Sequence, residues 1–258
     1  MSSVLIEHDG PILRITLNRP DVRNAFDEEV IRALTHAATA AAEDSSVRVV
    51  VLAANGTAFC AGADIGWMAK AIAYSRQENL SDAEDLARMM ERLDTLPVPV
   101  IGRIQGAALG GGVGLAAICD IVVAADVAVF ALSEVKLGIL PAVVAPYVLR
   151  KIGISASREL FLTGIRFDAA RARQIGLVHE VVPADALDSA VARRVADVLT
   201  ASPAGVARAK SLIREIAGVH PEDVIGVTTN AIAAQRVSAE GQEGLRAFLE
   251  KRKPGWSA

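Results

Sequence analysis

The sequence is short of several things, and each shortage removes a class of protein. It holds 2 cysteines in 258 residues, Cys60 and Cys119, which fit neither a disulfide framework nor a zinc spacing. Its 4 histidines, His8, His36, His179 and His220, supply no HExxH pair, so no resident metal is expected. Neither sign of charge dominates, since 27 Lys and Arg against 30 Asp and Glu leave a formal charge of −3. Without a basic surplus there is no general attraction for phosphate backbones or anionic lipid, so no nucleic-acid or membrane partner is expected. The longest uncharged stretch, 16 residues between Arg103 and Asp120, is glycine-rich and shorter than the ~20 apolar residues of a spanning helix. The opening MSSVLIEHDG lacks the basic and apolar regions of an export signal, and a cytoplasmic location is expected.

What remains is 52% hydrophobic and 22% charged, enough to bury one substantial core. Val4 to Glu7 and Ile12 to Leu17 read as strands around the Asp9-Gly10-Pro11 turn, and a helix is expected from about Asp27 to Asp44. Arg48 to Ala54 is a β-branched run typical of a buried strand, broken by Asn55-Gly56 and Gly62. Ser81-Asp82-Ala83-Glu84 has the form of a capping box, and Leu86, Met89, Met90, Leu93 and Leu96 then recur at helical spacing up to Pro97. Pro99 to Gln105 reads as a strand, Gly106 to Gly114 opens a helix reaching about Cys119, and Ile121 to Ala125 is strand again. The passages 48–72 and 99–118 resemble each other in outline, which suggests a stacked ββα unit. From Ala184 the pattern is nearly all helical, with breaks near Ser202-Pro203, Gly218 to Pro221 and Gly241.

Gly110, Gly111 and Gly112 open a helix, so unpaired backbone N–H groups there can point at a negative oxygen with no side chain in the way. The alternative is a tight turn or close helix packing, as the Gly110 to Gly114 spacing also allows. Gly112 to Ala117 matches a dinucleotide fingerprint in form, with Glu134 about 20 residues on, but six residues intervene after the preceding strand, against a nicotinamide site. Asp64 is placed to cap the turn after the Phe59-Cys60-Ala61-Gly62-Ala63 loop. Cys60 has no histidine nearby in sequence and reads as a small buried hydrophobe rather than a nucleophile. Glu134 stands in a mostly apolar passage, where burial would raise its pKa toward what proton transfer at carbon needs; the alternative is a surface pair with Lys136. Asp120 reads as a structural cap or partner, Arg193-Arg194 and Lys251-Arg252-Lys253 as solvated helix faces, and Trp67 and Met68 as core or pocket wall.

Taken together, Leu17-Asn18-Arg19-Pro20 with Asn24-Ala25, the Ala61-Gly62-Ala63-Asp64-Ile65 loop, Gln105-Gly106-Ala107-Ala108 into the glycine triplet, and Ser133-Glu134-Val135-Lys136-Leu137-Gly138 resemble the enoyl-CoA hydratase/isomerase (crotonase) family. The resemblance covers nearly the whole chain, and residues 62–68 and 133–147 look most like bacterial 3-methylglutaconyl-CoA hydratases. It implies an α/β fold, a crotonase-like spiral of repeated ββα units over residues 1–199, with a helical C-terminal trimerisation segment over 200–258. It also implies a homo-oligomer, a trimer or a hexamer built of two trimers, with no metal and no bound cofactor; coenzyme A arrives as part of the thioester substrate.

By position, the resemblance makes the N–H groups of Ala63 and Gly111 an oxyanion hole and Glu134 the acid/base. Arg23, Ala25, Ala61, Ala63, Asp64 and Ile65 would line the coenzyme A path, with Phe248 and Lys251 reaching it from a neighbouring subunit. Trp67, Met68, Leu109, Gly114, Leu140 and Pro141 would surround the acyl group. The family's two-acid hydratases carry a Glu where this chain has Gly114, so only one catalytic carboxylate is evident and Gly114 is expected to leave extra room. Hydration is the expected activity, double-bond isomerisation its first rival. Thioester hydrolysis, or an RNA-binding role that the net charge opposes, comes after.

Overall fold

The computed structural model describes residues 2–256. The expected hairpin forms from β1 (Val4–Asp9) and β2 (Ile12–Leu17), antiparallel, with Val4 opposite Leu17 and Asp9 opposite Ile12. α1 (Glu28–Glu43) is started by Asp27, whose side chain accepts the Val30 N–H, and turns Val30, Ile31, Leu34, Ala37, Ala38 and Ala41 into the core. β3 (Val49–Ala54) is buried at every position, as a parallel strand covered on both faces must be. Then follow α2 (Ile65–Ala73), α3 (Arg76–Asp94), β4 (Val100–Ile104), β5 (Ala108–Leu109), α4 (Gly111–Ile118), β6 (Ile121–Ala125) and β7 (Val129–Ala131). The rest is α5 (Ala145–Thr163), β8 (Arg166–Asp168), α6 (Ala169–Gln174), β9 (Glu180–Val182), α7 (Leu187–Leu199), α8 (Pro203–Ile216), α9 (Pro221–Val237) and α10 (Ala239–Leu249).

The strands form a six-stranded sheet in the order β1-β2-β3-β4-β6-β9, parallel apart from β1, and a three-stranded sheet β5-β7-β8. Each turn of the chain visits the large sheet, then the small one, then a helix: β4, β5, α4 and again β6, β7, α5. In the earlier turns the small-sheet strand shrinks to one residue, Cys60 bridging Ala108 and Phe26 bridging Ala63. The resemblance between passages 48–72 and 99–118 is therefore a real ββα repeat. It stacks because parallel neighbours need a crossover, and each crossover leaves its helix outside.

One face of the large sheet, with Leu13, Val50, Leu52, Ile104 and Val122, packs under α1, α3 and α4. The other face, with Val49, Val51, Ile101 and Val123, is covered by Leu187, Ala190, Val191 and Val195 of α7. The helices after α7 are tied back by Lys210, whose ammonium meets Asp120 at 2.7 Å, and by Arg48, which donates to the carbonyl of Ala201 at 2.7 Å. Asp120 also accepts the Val100 N–H, so it is the structural partner expected.

Two expected boundaries move. The capping box is Ser75 with Glu78, not Ser81 with Glu84: α3 begins at Arg76, and Ser81 lies inside it. The earlier start also lets the Asn79 amide donate to the carbonyls of Ala71 and Tyr74, satisfying the end of α2. The last break falls at Ser238, whose hydroxyl accepts the Gly241 N–H and starts α10, so Gly241 is helical. α2 is the helix that closes the strand-loop-helix passage 48–72, while α5, α6, β7, β8 and β9 carry no expectation from the sequence. Among the described residues no helix is long and apolar enough to cross a membrane, and no group of three or more His, Cys, Asp or Glu could hold a metal.

Candidate active site

Three backbone hydrogen bonds lay residues 23–26 along residues 61–64. Ala61 donates to Arg23 at 3.0 Å, Phe26 to Gly62 at 2.7 Å and Asp64 to Phe26 at 2.7 Å. Arg23, Ala25, Ala61, Ala63, Asp64 and Ile65 are thereby brought to one ridge at the strand ends. Strand-like alternation turns the Ala63 N–H the other way, and it meets no backbone acceptor among the described residues. Asp64 does cap α2, accepting from Gly66 and Trp67, and its other oxygen holds Arg19 at 3.2 Å.

The second bend is built of glycine. Gly110 sits at φ +51° and donates to the carbonyl of Ala131 at 2.8 Å, which points α4 at the ridge. The N–H of Gly111, the first residue of α4, is one of the donors a helix start leaves unpaired, at the positive end of its dipole. A Cβ on Gly111 would lie 2.4 Å from the Phe26 ring, so the close fit of α4 against Phe26 admits no side chain. The two bends touch: a Cβ placed on Gly110 would stand 3.9 Å from the Cα of Gly62.

Glu134 completes the cluster from a short 3-10 turn, Glu134–Leu137, that follows β7. A Cβ on Gly110 would lie 2.9 Å from its Oε1, so the carboxyl stands against the glycine bend. Its Oε2 is buried without a hydrogen-bond partner among the described residues, and no ion pair joins it to Lys136 there. Burial raises its pKa above the ordinary carboxylate value, partly offset by a backbone hydrogen bond. The bends and Glu134 face a cavity of about 390 Å³, which Trp67, Met68, Leu109, Leu140 and Pro141 help to wall.

Gly114 is a correction. It lies inside α4, outside that lining, and a Cβ there would meet Val144 Cγ1 at 2.3 Å and Met90 Cε at 3.1 Å. The room expected beside the acyl group is filled by Val144. Phe248, 81% exposed and last but one in α10, and Lys251 lie outside the lining of this chain's own cavity. Cys60 is fully buried and its thiol is pushed up to about 12 by desolvation, which removes it as a nucleophile. The residues of the dinucleotide-like run Gly112 to Ala117 are all buried within α4. A larger hollow, about 620 Å³ between α4, α5 and α8, holds Lys151 and Lys210, but Cys119 O and Asp120 already occupy their ammonium groups.

Sequence reasoning missed Asp82 as a site residue. It lines the cavity and accepts the Trp67 indole N–H at 2.9 Å. The signal was there: Asp82, Leu86, Met89 and Leu93 share one helical stripe, an acid at the end of an apolar face.

The sequence model of the enoyl-CoA hydratase/isomerase family matches residues 7–258. A 2,3-dehydroadipyl-CoA hydratase of Escherichia coli is 32% identical over 98% of this chain and 98% of its own. Among solved structures, an enoyl-CoA hydratase of Shewanella pealeana superposes with a TM-score of 0.95 at 41% identity, over 98% of this chain and 96% of that one. AtuE of Pseudomonas aeruginosa does so with a TM-score of 0.95 at 36% identity, over 99% and 100%.

Proposed function

Because the chain belongs to the enoyl-CoA hydratase/isomerase family, we propose that it adds water to the double bond of an α,β-unsaturated acyl-CoA thioester, with Glu134 as its one acid/base. The observation that carries this is the meeting of two unpaired amides, Ala63 and Gly111, with a buried, unpartnered carboxyl at one cavity. Addition to the double bond collects negative charge on the thioester oxygen, and two N–H donors aimed at it stabilise the enolate. Losing one donor of such a hole typically costs ~3 kcal/mol. Glu134 delivers its proton to the α-carbon, the water oxygen bonds to the β-carbon, and the proton that water sheds returns to Glu134. Atoms and charge then balance with the enzyme unchanged.

The ridge of Arg23, Ala25, Ala61 and Ile65 is the proposed coenzyme A path; the Asp64 carboxylate, engaged with Arg19 and the α2 cap, contributes through the loop it holds. The finer candidate, 3-methylglutaconyl-CoA, brings a free carboxylate to a lining that already has two acids, Glu134 and Asp82, and no Lys or Arg. The proposal therefore stands on the enoyl thioester and not on that acyl group. Exposed Ile213, Ile225, Val237, Leu245, Phe248 and Leu249 on α8 to α10 support the expected trimer or hexamer, in which Phe248 and Lys251 would serve a neighbour's coenzyme A. Light scattering tests that assembly.

The absence of an acid at position 114 favours one second reading, double-bond isomerisation by Glu134 alone. Incubation with crotonyl-CoA, 3-methylglutaconyl-CoA and a 3-enoyl-CoA, followed by mass spectrometry, separates the two. Hydration adds the mass of one water; isomerisation changes absorbance at constant mass. Wild-type turnover by Glu134→Gln would overturn both readings.

A further inference from the structure

Asp82 is a cavity carboxylate with no part in the reaction just described. Its neighbouring acids are neutralised elsewhere, Glu28 by Lys70 at 2.9 Å and Asp85 by Arg88 at 2.9 Å. Asp82 has no ion pair among the described residues, and its partner is the Trp67 indole N–H. Burial raises its pKa, against the pull of that N–H, with Glu28 and Asp85 adding to the rise. A partly desolvated carboxylate accepting an indole N–H makes a directional, charge-assisted bond, here 2.9 Å, and a buried indole N–H needs such an acceptor.

The bond matters because of what α2 lacks. Trp67 is the one buried residue of this nine-residue helix, while Ile65 and Ile72 are 80% and 88% exposed. The first turn of α2 is fixed twice, its backbone by the Asp64 cap that also holds Arg19 and its Trp67 ring by Asp82, while the Asn79 amide ties the far end. The exposed Lys70–Glu28 pair adds little. The first anchor, with the pairing of Phe26 and Ala63, holds the amide that the oxyanion would need. Trp67 takes part in both, its backbone N–H on Asp64 and its indole on Asp82, so the second anchor holds only the ring that walls the cavity.

We propose that Asp82 is a positioning residue that acts through Trp67: their hydrogen bond sets the indole as the wall that limits the acyl group, and so decides which acyl chains the cavity accepts. This rests on the acyl-thioester reading above. Loosening the wall changes the fit of the chain more than the aim of the Ala63 amide, so the effect falls on KM and on selectivity before it falls on kcat.

Three variants separate the possibilities. Asp82→Leu removes the acceptor, Trp67→Phe removes the donor and keeps an aromatic ring, and Asp82→Asn keeps an oxygen that can accept. The readouts are kcat and KM on crotonyl-CoA and trans-decenoyl-CoA, together with calorimetric Kd values for butyryl-CoA and decanoyl-CoA, which need no turnover. Asp82→Leu and Trp67→Phe are expected to shift the preference between short and long chains by on the order of tenfold, through KM and Kd, with Asp82→Asn restoring it. An unchanged preference in both disrupting variants would overturn the proposal. So would a collapse of kcat in Asp82→Asn as deep as that of Glu134→Gln, since Asp82 would then move protons itself. If Asp82→Leu does not fold, Trp67→Phe decides. If wild-type protein binds the saturated thioesters but hydrates neither enoyl substrate, the hydration reading fails while the Kd series still judges the pair.

Discussion

The two bends that face the cavity present the same thing, an N–H with no partner among the described residues, and reach it by different physics. The Ala61 to Asp64 bend is held by polar side chains: Asp64 caps α2 and binds Arg19, which also meets Asp27 at 3.0 Å. The Gly110 to Gly112 bend has no side chains and is held by the Gly110 N–H on the Ala131 carbonyl and by contact, with the Phe26 ring against Gly111 and the Glu134 carboxyl against Gly110. A polar clamp weakens by degrees when one partner is lost. A contact that leaves no space for a Cβ fails when any atom is added.

The deepest loss is expected where the bends are left intact and the group between them is changed. Glu134→Gln should lower turnover by about 100- to 10,000-fold in a steady-state assay. It should also raise the melting temperature, since burial raises the folded-state pKa of Glu134 and so weakens the fold as pH climbs through that value. The stabilisation by Gln should therefore grow with pH and vanish below the ordinary carboxylate value, where the wild-type group is protonated folded or unfolded. Next comes Gly111→Val, expected to cost about 100- to 1,000-fold in rate, with ~1–3 kcal/mol lost in urea unfolding as Phe26 is displaced.

Gly114→Glu probes the same helix away from the cavity. Val144 occupies the space, so the variant should lose on the order of 1–3 kcal/mol and gain no hydratase activity, while adding Val144→Ala should recover part of the stability. The smallest effect belongs to the polar bend. Asp64→Ala removes one cap, costing ~1 kcal/mol with a severalfold fall in rate, and the gap between it and Gly111→Val measures how differently the two bends are built. Equal losses in the two would erase the contrast.

Much of this was legible because local rules and long-range packing agree. β3 is β-branched and buried on both faces, and Asp27 and Asp64 cap the helices they precede. Where two signals of equal local strength competed, packing chose between them. Ser75-Glu78 and Ser81-Glu84 have the same capping form, and the earlier pair starts α3, which leaves Asp82 inside the helix, facing Trp67. Gly241 looks like a breaker, but Ser238 three residues before it supplies the cap and Gly241 continues the helix.

Composition and the repeated strand-loop-helix passages pointed to the fold class, because backbone conformation and burial pattern are written in neighbouring residues, and the resemblance of four motifs to a known family implied the three groups expected to carry the chemistry. Which spaces are filled was decided only in three dimensions. Val144 closes the room beside Gly114, and Asp82 meets Trp67 across two helices. A void or a cross-helix hydrogen bond belongs to residues far apart in the chain, and no local pattern encodes the distance between them.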